Sequence, residues 1–255
     1  MAQTATAGKR KGEYGYDGSF NTVSAGTQLA AVGVGSTALL VGAGVALSRG
    51  NRKIAALAGV SGVELLATTA SYIYATRAGK FRVWDRLLDD FRLRGDETVL
   101  DLGCGRGALL LAAAKRLPRG RAIGVDLWHA DQTGNSQQAT LANAAAENVA
   151  DRIEVRTADM TALPLTDESV DVIVSNLAVH NIPTSAGRRQ ALDEAIRVLR
   201  PGGRLAIADL GETREHALHL RELGWRNVQR RNLGWRMWYG GPWFSTRLVT
   251  ATKPG

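Results

Sequence analysis

Between Gly18 and Ser48 the chain carries no charged residue. Within that stretch, residues 29–47 run for 19 positions with only Ser36 and Thr37 polar. A helix rises about 1.5 Å per residue, so a run of this length matches a hydrocarbon core of about 30 Å. A basic turn follows, Arg49 to Lys53, and residues 54–76 then give a second run of 23 residues broken only by Glu64. Two such runs in succession demand a helical hairpin with most of its surface covered by something apolar. Small residues recur every fourth position, at Ala38, Gly42 and Ala46 and again at Ala67, Ser71 and Ala75. That spacing lets two helices approach closely in lipid.

Residues 24–79 therefore read as a transmembrane hairpin. Lys9, Arg10, Lys11, Arg77, Lys80, Arg82 and Arg86 lie within reach of its outer ends, against three basic residues in the turn. The excess places both ends, and whatever follows, on the cytoplasmic side of a membrane. Glu64 opposes this reading, because a carboxylate in mid-bilayer costs about 2.5–3.5 kcal/mol on insertion scales unless it is protonated, paired or facing a polar cavity. A soluble Ala/Gly-rich helical cap is the alternative. A cleaved signal peptide is disfavoured, since the first run starts late and a second follows it. Residues 1–23 are rich in Gly, Ala, Ser and Thr and read as a flexible tail.

The net charge of +8 is unevenly spread. Residues 77–211 are neutral, with 18 basic and 18 acidic side chains, whereas residues 212–255 carry +5. A basic end of this kind suits any polyanion, lipid or nucleic acid, and does not choose between them. Cys104 is the only cysteine, which excludes an intrachain disulfide. No His, Cys and carboxylate cluster has metal-ligand spacing, so no metal is expected.

From Lys80 the pattern changes. Trp84, Leu87, Leu88 and Phe91 fall on one helix face. Buried strands are predicted at Val99 to Leu102, at residues 121–126, 152–157 and 170–176, and at 204–209. Helices are predicted from Ala108 to Leu117 and near 135–149, 184–199 and 212–223. Alternation of this kind predicts an α/β fold with a mostly parallel sheet covered on both faces. Gly103, Gly105 and Gly107 form the turn after the first strand. They let backbone approach a ligand with no Cβ in the way, and the helix that follows turns its N-terminal amides toward an anion.

The segment VLDLGCGRG, Asp126 closing the next strand, the TADM segment at 157–160 and RPGGRLAIADL at 200–210 together resemble class I S-adenosylmethionine-dependent methyltransferases. The small-molecule branch that includes ubiquinone/menaquinone-type C-methyltransferases is the nearest. The resemblance covers residues 81–255. It implies a Rossmann-like sheet ending in an antiparallel hairpin, over a domain of residues 80–255. It also implies S-adenosyl-L-methionine as cofactor and methyl transfer to a small acceptor. The glycine turn taken alone also suits a nicotinamide-dependent oxidoreductase, and a non-catalytic membrane scaffold could keep the fold.

The resemblance further implies that Asp101 lies near the methionyl ammonium and that Asp126 accepts from the ribose hydroxyls. Leu127, and less clearly Trp128, would pack on adenine, while Asp159 and the Met160 amide would meet its edge. Cys104 is expected to contribute backbone only, and Arg106 to approach the cofactor carboxylate. Residues after the fourth strand would face the acceptor: Asn176, which would also contact the cofactor, and Asn181 as hydrogen-bonding groups, and His180 as the candidate base, since its ordinary pKa lies near neutrality. The Asn-Pro-Pro-aromatic signature of many amino-group methyltransferases is absent, which disfavours nucleic acid. Trp235, Trp238, Tyr239 and Trp243 crowd a Gly-rich loop between two expected strands, about 225–232 and 244–252. They read as an interfacial membrane anchor, as an aromatic wall for a lipophilic acceptor, or as edge packing.

Overall fold

The computed structural model describes residues 10–18, 23–225 and 227–255. Helix α1 (Ala25–Ser48) and helix α2 (Arg52–Tyr74) form an antiparallel pair turned at Gly50, whose φ of 77° suits a residue without Cβ. Ser24 caps α1, its Oγ accepting from the Thr27 amide at 3.1 Å. The helices meet where α2 is smallest: a Cβ on Gly62 would sit 3.0 Å from Leu40 and 3.3 Å from Leu39. Ser36, on the same face of α1, is fully buried. The small-residue stripe expected from sequence is only partly used. Ala46 is buried, but Ala38 is exposed and Gly42 meets nothing within 4 Å. Residues 38 and 42 lie on a different face from 36, 39, 40 and 43, and it is this second face that the short turn brings against α2. The remaining surface of the pair is exposed and aliphatic, with Val34 and Leu57 each 72% exposed.

Helix α2 does not end at the boundary placed near residue 80. It passes through one π-helical turn, Ala75–Gly79, directly into α3 (Lys80–Asp90). Gly79 is required there: a Cβ would lie 1.8 Å from the Arg236 carbonyl oxygen. Helix α3 buries Trp84, Leu87 and Leu88 as its periodicity predicts, and Val83 beside them, while Phe91, just past its end, is half-buried.

The sheet contains β1 (Thr98–Leu102), β2 (Arg121–Asp126), β3 (Ile153–Thr157), β4 (Val170–Asn176), β5 (Leu199–Asp209), β6 (Gln229–Asn232) and β7 (Arg247–Thr252). Their order is β3-β2-β1-β4-β5-β7-β6; β1 to β5 run parallel and β7 is antiparallel to both its neighbours. This is the expected mostly parallel sheet with a terminal antiparallel hairpin. Alternate residues feed two cores, as the two-residue repeat of a strand requires. Val99, Val172, Val174 and Leu248 face α3 and α4 (Ala108–Ala114), with α5 (Gln137–Ala146) beyond. Leu100, Leu102, Ile173 and Leu205 face α6 (Ser185–Val198) and α7 (Thr213–Glu222). The penultimate strand is shorter than expected, because Trp225 turns into the core beside α7 and only four residues pair with β7.

The expected tail departs from sequence expectation most. Residues 10–18 lie against α3, α5 and the sheet domain as a strap. Arg10 pairs with Asp85 at 2.8 Å. The amides of Lys11 and Gly12 donate to Glu147 Oε1 at 2.8 and 3.0 Å, and the Tyr14 hydroxyl donates to the same oxygen at 3.0 Å. Glu147, itself bonded by Lys115 at 2.6 Å, is the reason a Gly-rich segment is held down. The rest of the expected tail, residues 1–9 with Lys9 and residues 19–22, lies outside the described residues.

Candidate functional site

The C-terminal ends of β1, β2 and β4 open into a cavity of about 640 Å³. Such ends are where open α/β sheets bind ligands. The cavity brings together Asp101, Gly103, Cys104 and Gly105 from the first turn and Asp126 and Leu127 from the second strand. Asp159 and Met160 reach it from beyond β3, and Asn176, His180 and Asn181 from beyond β4. Gly107 does not line it. With φ of 85° it starts α4, and a Cβ there would press on Leu111 and Thr140 at 3.1 Å, so its task is packing. Arg106 also turns away: it donates to the Glu13, Thr133 and Gly134 carbonyls and ties the strap down. Trp128 packs on the core and donates to Thr157 Oγ1 at 2.7 Å, so of this pair only Leu127 lines the cavity.

The donor set fits the cofactor. Gly103 and Gly105 have φ of 71° and 50°, and Cβ atoms there would strike Ala178 at 2.2 Å and Gln132 at 2.4 Å. Asp101 is buried and accepts the Leu110 amide at 2.9 Å. Burial, with a smaller contribution from nearby Asp126, pushes its carboxyl up to about 8. A buried acid on the cavity wall that forms no ion pair among the described residues is suited to an incoming ammonium. Asp126 accepts from the Gly105 amide at 2.8 Å and the Trp128 amide at 2.6 Å, which fixes its carboxylate at the rim. Asp159 accepts the Thr161 amide at 2.8 Å. Burial raises the Cys104 thiol pKa well above its ordinary value, so its side chain is a poor nucleophile and only its backbone serves the turn.

On the opposite wall His180 Nδ1 lies 2.5 Å from Asp209 Oδ1, and its amide donates to Asp209 Oδ2 at 3.1 Å. Burial would lower the imidazole pKa, but the Asp209 carboxylate outweighs it and the net shift is upward. Asn181 donates to Asp131 Oδ2 at 2.7 Å, and Asn176 Oδ1 accepts from Trp84 Nε1 at 2.9 Å. Both asparagines are thereby fixed in orientation.

A second polar group lines the same cavity. Asp17 of the strap accepts from Lys80 Nζ at 2.6 Å, Tyr239 at 3.0 Å and Gln132 at 3.2 Å, while Tyr72 donates to its carbonyl at 2.6 Å. Lys80 is 1% exposed and is spent here, so it does not belong with the basic residues at the outer end of the hairpin. Burial and Asp17 raise the Tyr239 phenol pKa well above the usual range. Sequence reasoning missed Asp17, Lys80, Tyr72 and Asp209. The one available signal was Tyr239 in the aromatic loop.

Residues 100–207 match the family model described as a methyltransferase domain. An arsenite methyltransferase of Halobacterium salinarum is 41% identical over 118 residues, 46% of this chain and 28% of that protein. A ubiquinone/menaquinone biosynthesis C-methyltransferase of Dinoroseobacter shibae is 33% identical over 135 residues, 52% of this chain and 51% of that protein. The chain thus spans about half, or less, of the length of these curated relatives. Among solved structures, a SAM-dependent methyltransferase from Aquifex aeolicus superposes with a TM-score of 0.51 at 23% identity, covering 66% of this chain and 88% of that one.

Proposed function

We propose that this chain, whose core is a class I S-adenosylmethionine-dependent methyltransferase domain, methylates a small lipophilic acceptor at a membrane surface. Bound S-adenosylmethionine supplies an electrophilic methyl group on a sulfonium. The protein's own work is to position and to move a proton. Asp101 and the glycine turn hold the amino-acid end of the cofactor, Asp126 the ribose, and Leu127, Asp159 and Met160 the base. His180 takes the proton lost by the acceptor. Its Nδ1 is tied to Asp209, which leaves Nε2 as the basic atom and stabilises the imidazolium once formed. Asn176 and Asn181 orient the acceptor.

The observation that carries the reading is that cofactor-motif residues and two hairpin-associated tyrosines, Tyr72 and Tyr239, line one cavity. The membrane part rests on the exposed aliphatic surface of α1 and α2, which are 24 and 23 residues long. It rests also on the aromatic collar where α2 meets the domain. There Trp235 stacks on Tyr74 at 5.0 Å, and Trp243 and Phe244 are 62% and 54% exposed. Trp and Tyr favour the headgroup zone. In this reading the protein resides in the membrane with its catalytic domain on the cytoplasmic side.

The test incubates the full chain in vesicles with a lipid extract and cofactor bearing a deuterated methyl, followed by mass spectrometry. A lipid-soluble product heavier by the labelled methyl is expected. The label should be lost in Asp126→Ala together with cofactor affinity. Label confined to water-soluble products would remove the lipophilic acceptor.

A further inference from the structure

A second cavity, of about 800 Å³, lies along the hairpin and shares Asp17, Gly18, Tyr72 and Tyr239 with the cofactor cavity. We propose that this groove is the binding site for the hydrocarbon chain of the acceptor. The acceptor is then an amphipathic molecule with one polar, methylatable head and one apolar chain, entering sideways from the bilayer. The inference rests on the reading of the hairpin as membrane-inserted.

Continuity names the occupant. The groove and the methyl-transfer cavity share Asp17, Gly18, Tyr72 and Tyr239 as a common wall, and on the proposed route the head of a molecule lying in the groove passes these residues into the cavity. The groove extends on α2 from Ser61 to Tyr72 and on α1 from Gln28 to Leu39. Each is eleven helical steps, about 16 Å, or half of a bilayer core. A chain of that length therefore spans from the hydrocarbon interior to the collar, and only its head protrudes toward His180.

The chemistry of the walls agrees. Leu29, Val32 and Leu39 of α1 face Leu65 of α2. Thr68 and Thr69 look polar in sequence, but their hydroxyls donate back to the Leu65 carbonyl at 3.1 and 2.7 Å and are satisfied within the helix. Trp243 and Phe244 close the domain end. Glu64, the one acid in the two apolar runs, lines this cavity near its Ser61 end.

The test uses the wild-type full chain in phosphatidylcholine/phosphatidylglycerol vesicles and a photoreactive probe, a phenol carrying a fifteen-carbon alkyl chain with a terminal diazirine. Cross-links assigned to single residues by fragment-ion mass spectrometry are expected on Val32, Leu39, Leu65 and Thr69. They should exceed by at least fivefold those on lipid-facing Val34, Leu57 and Val63. Even labelling of both sets would show ordinary bilayer contact and overturn the proposal. Val32→Trp fills the groove at a distance from the cofactor motifs. It should lower both groove labelling and methyl incorporation from lipid extract at least tenfold, with cofactor affinity and alkaline-carbonate resistance unchanged. Full turnover in a folded, membrane-bound Val32→Trp would also overturn it. Release of the wild-type chain by carbonate is a separate failure: it removes the membrane reading, and with it the sideways route.

Discussion

Asp101 holds a proton that an exposed aspartate would have lost. Its carboxyl titrates near 8 because it is buried, whereas an unfolded chain releases that proton near pH 4. Between those values the folded state binds more protons than the unfolded one, so this residue makes stability fall as pH rises from about 4 to about 8, and contributes no slope above. Asp101→Asn removes the slope, and its melting temperature should exceed that of the wild type at pH 9 by a few degrees, about 2–4 °C per kcal/mol for a chain of this size. Cofactor binding reverses the balance, since an ammonium near the carboxyl favours its ionised form. Calorimetry at pH 7 in buffers of different ionisation enthalpy should therefore show release of up to one proton per cofactor bound. Asp101→Asn should release none and bind about tenfold or more weakly, equivalent to 1.4 kcal/mol. Equal proton release by both proteins would place the ammonium elsewhere. Asp101, Asp126 and Asp159, which the family resemblance picked out in the sequence, all line the cavity, because each lies at or just beyond the C-terminal end of a parallel strand. Asp17 and Lys80 were not legible there as site residues, and Tyr239 was marked only as one aromatic among several in its loop, because three distant segments meet only when the chain has closed, and no spacing along the sequence encodes that meeting.

Elements tell a similar story of local and non-local information. The strands and α3 to α7 follow from hydrophobic period, glycine turns and caps such as Ser136 and Thr184, whose side chains accept the Ala139 and Gly187 amides. The strap follows from none of these, since Gly-rich polar composition predicts looseness and one distant carboxylate reverses it. Hydrogen bonds from Lys115, Gly12, Lys11 and Tyr14 override the opposing effect of burial and hold the Glu147 carboxyl down to about 2. A group with a depressed folded pKa contributes stability above its unfolded value, about 4.3, and loses it as pH falls toward 2. The strap should thus detach in acid before the sheet unfolds. Glu147→Ala leaves the Lys11 and Gly12 amides without their acceptor at neutral pH. Hydrogen exchange at those two amides should accelerate at least tenfold, and limited trypsin digestion should cut after Arg10 or Lys11 sooner, with the α4 and β1 amides unchanged. Unchanged exchange at Lys11 would mean that Arg10, Tyr14 and Asp17 hold the strap without Glu147.

At the scale of the whole molecule, the hairpin and the sheet domain are joined without a linker. Helix α2 runs through the π turn into α3 without a loop, and α3 packs on the sheet beside Asn176. The Ser71 hydroxyl donates to the Trp238 carbonyl at 2.8 Å, and Gly79 seats the same C-terminal loop. Helix continuity and these two contacts tie the hairpin to the domain, so in a bilayer-inserted hairpin the plane of the bilayer around α1 and α2 would set how the cavity faces the membrane. This geometry makes the orientation testable with the chain's own chemistry. Cys104 is buried and its thiol pKa is raised, so the wild type gives little background with a membrane-impermeant maleimide. Asn51 in the turn and Arg231 on β6 are both exposed. In sealed vesicles of one orientation, Asn51→Cys and Arg231→Cys should label from opposite faces, and Arg231→Cys should label from the cytoplasmic one. A helical cap lying outside the bilayer would label both from the same side, and the seven-to-three basic asymmetry, already weakened by the burial of Lys80, would then describe a surface and not a topology.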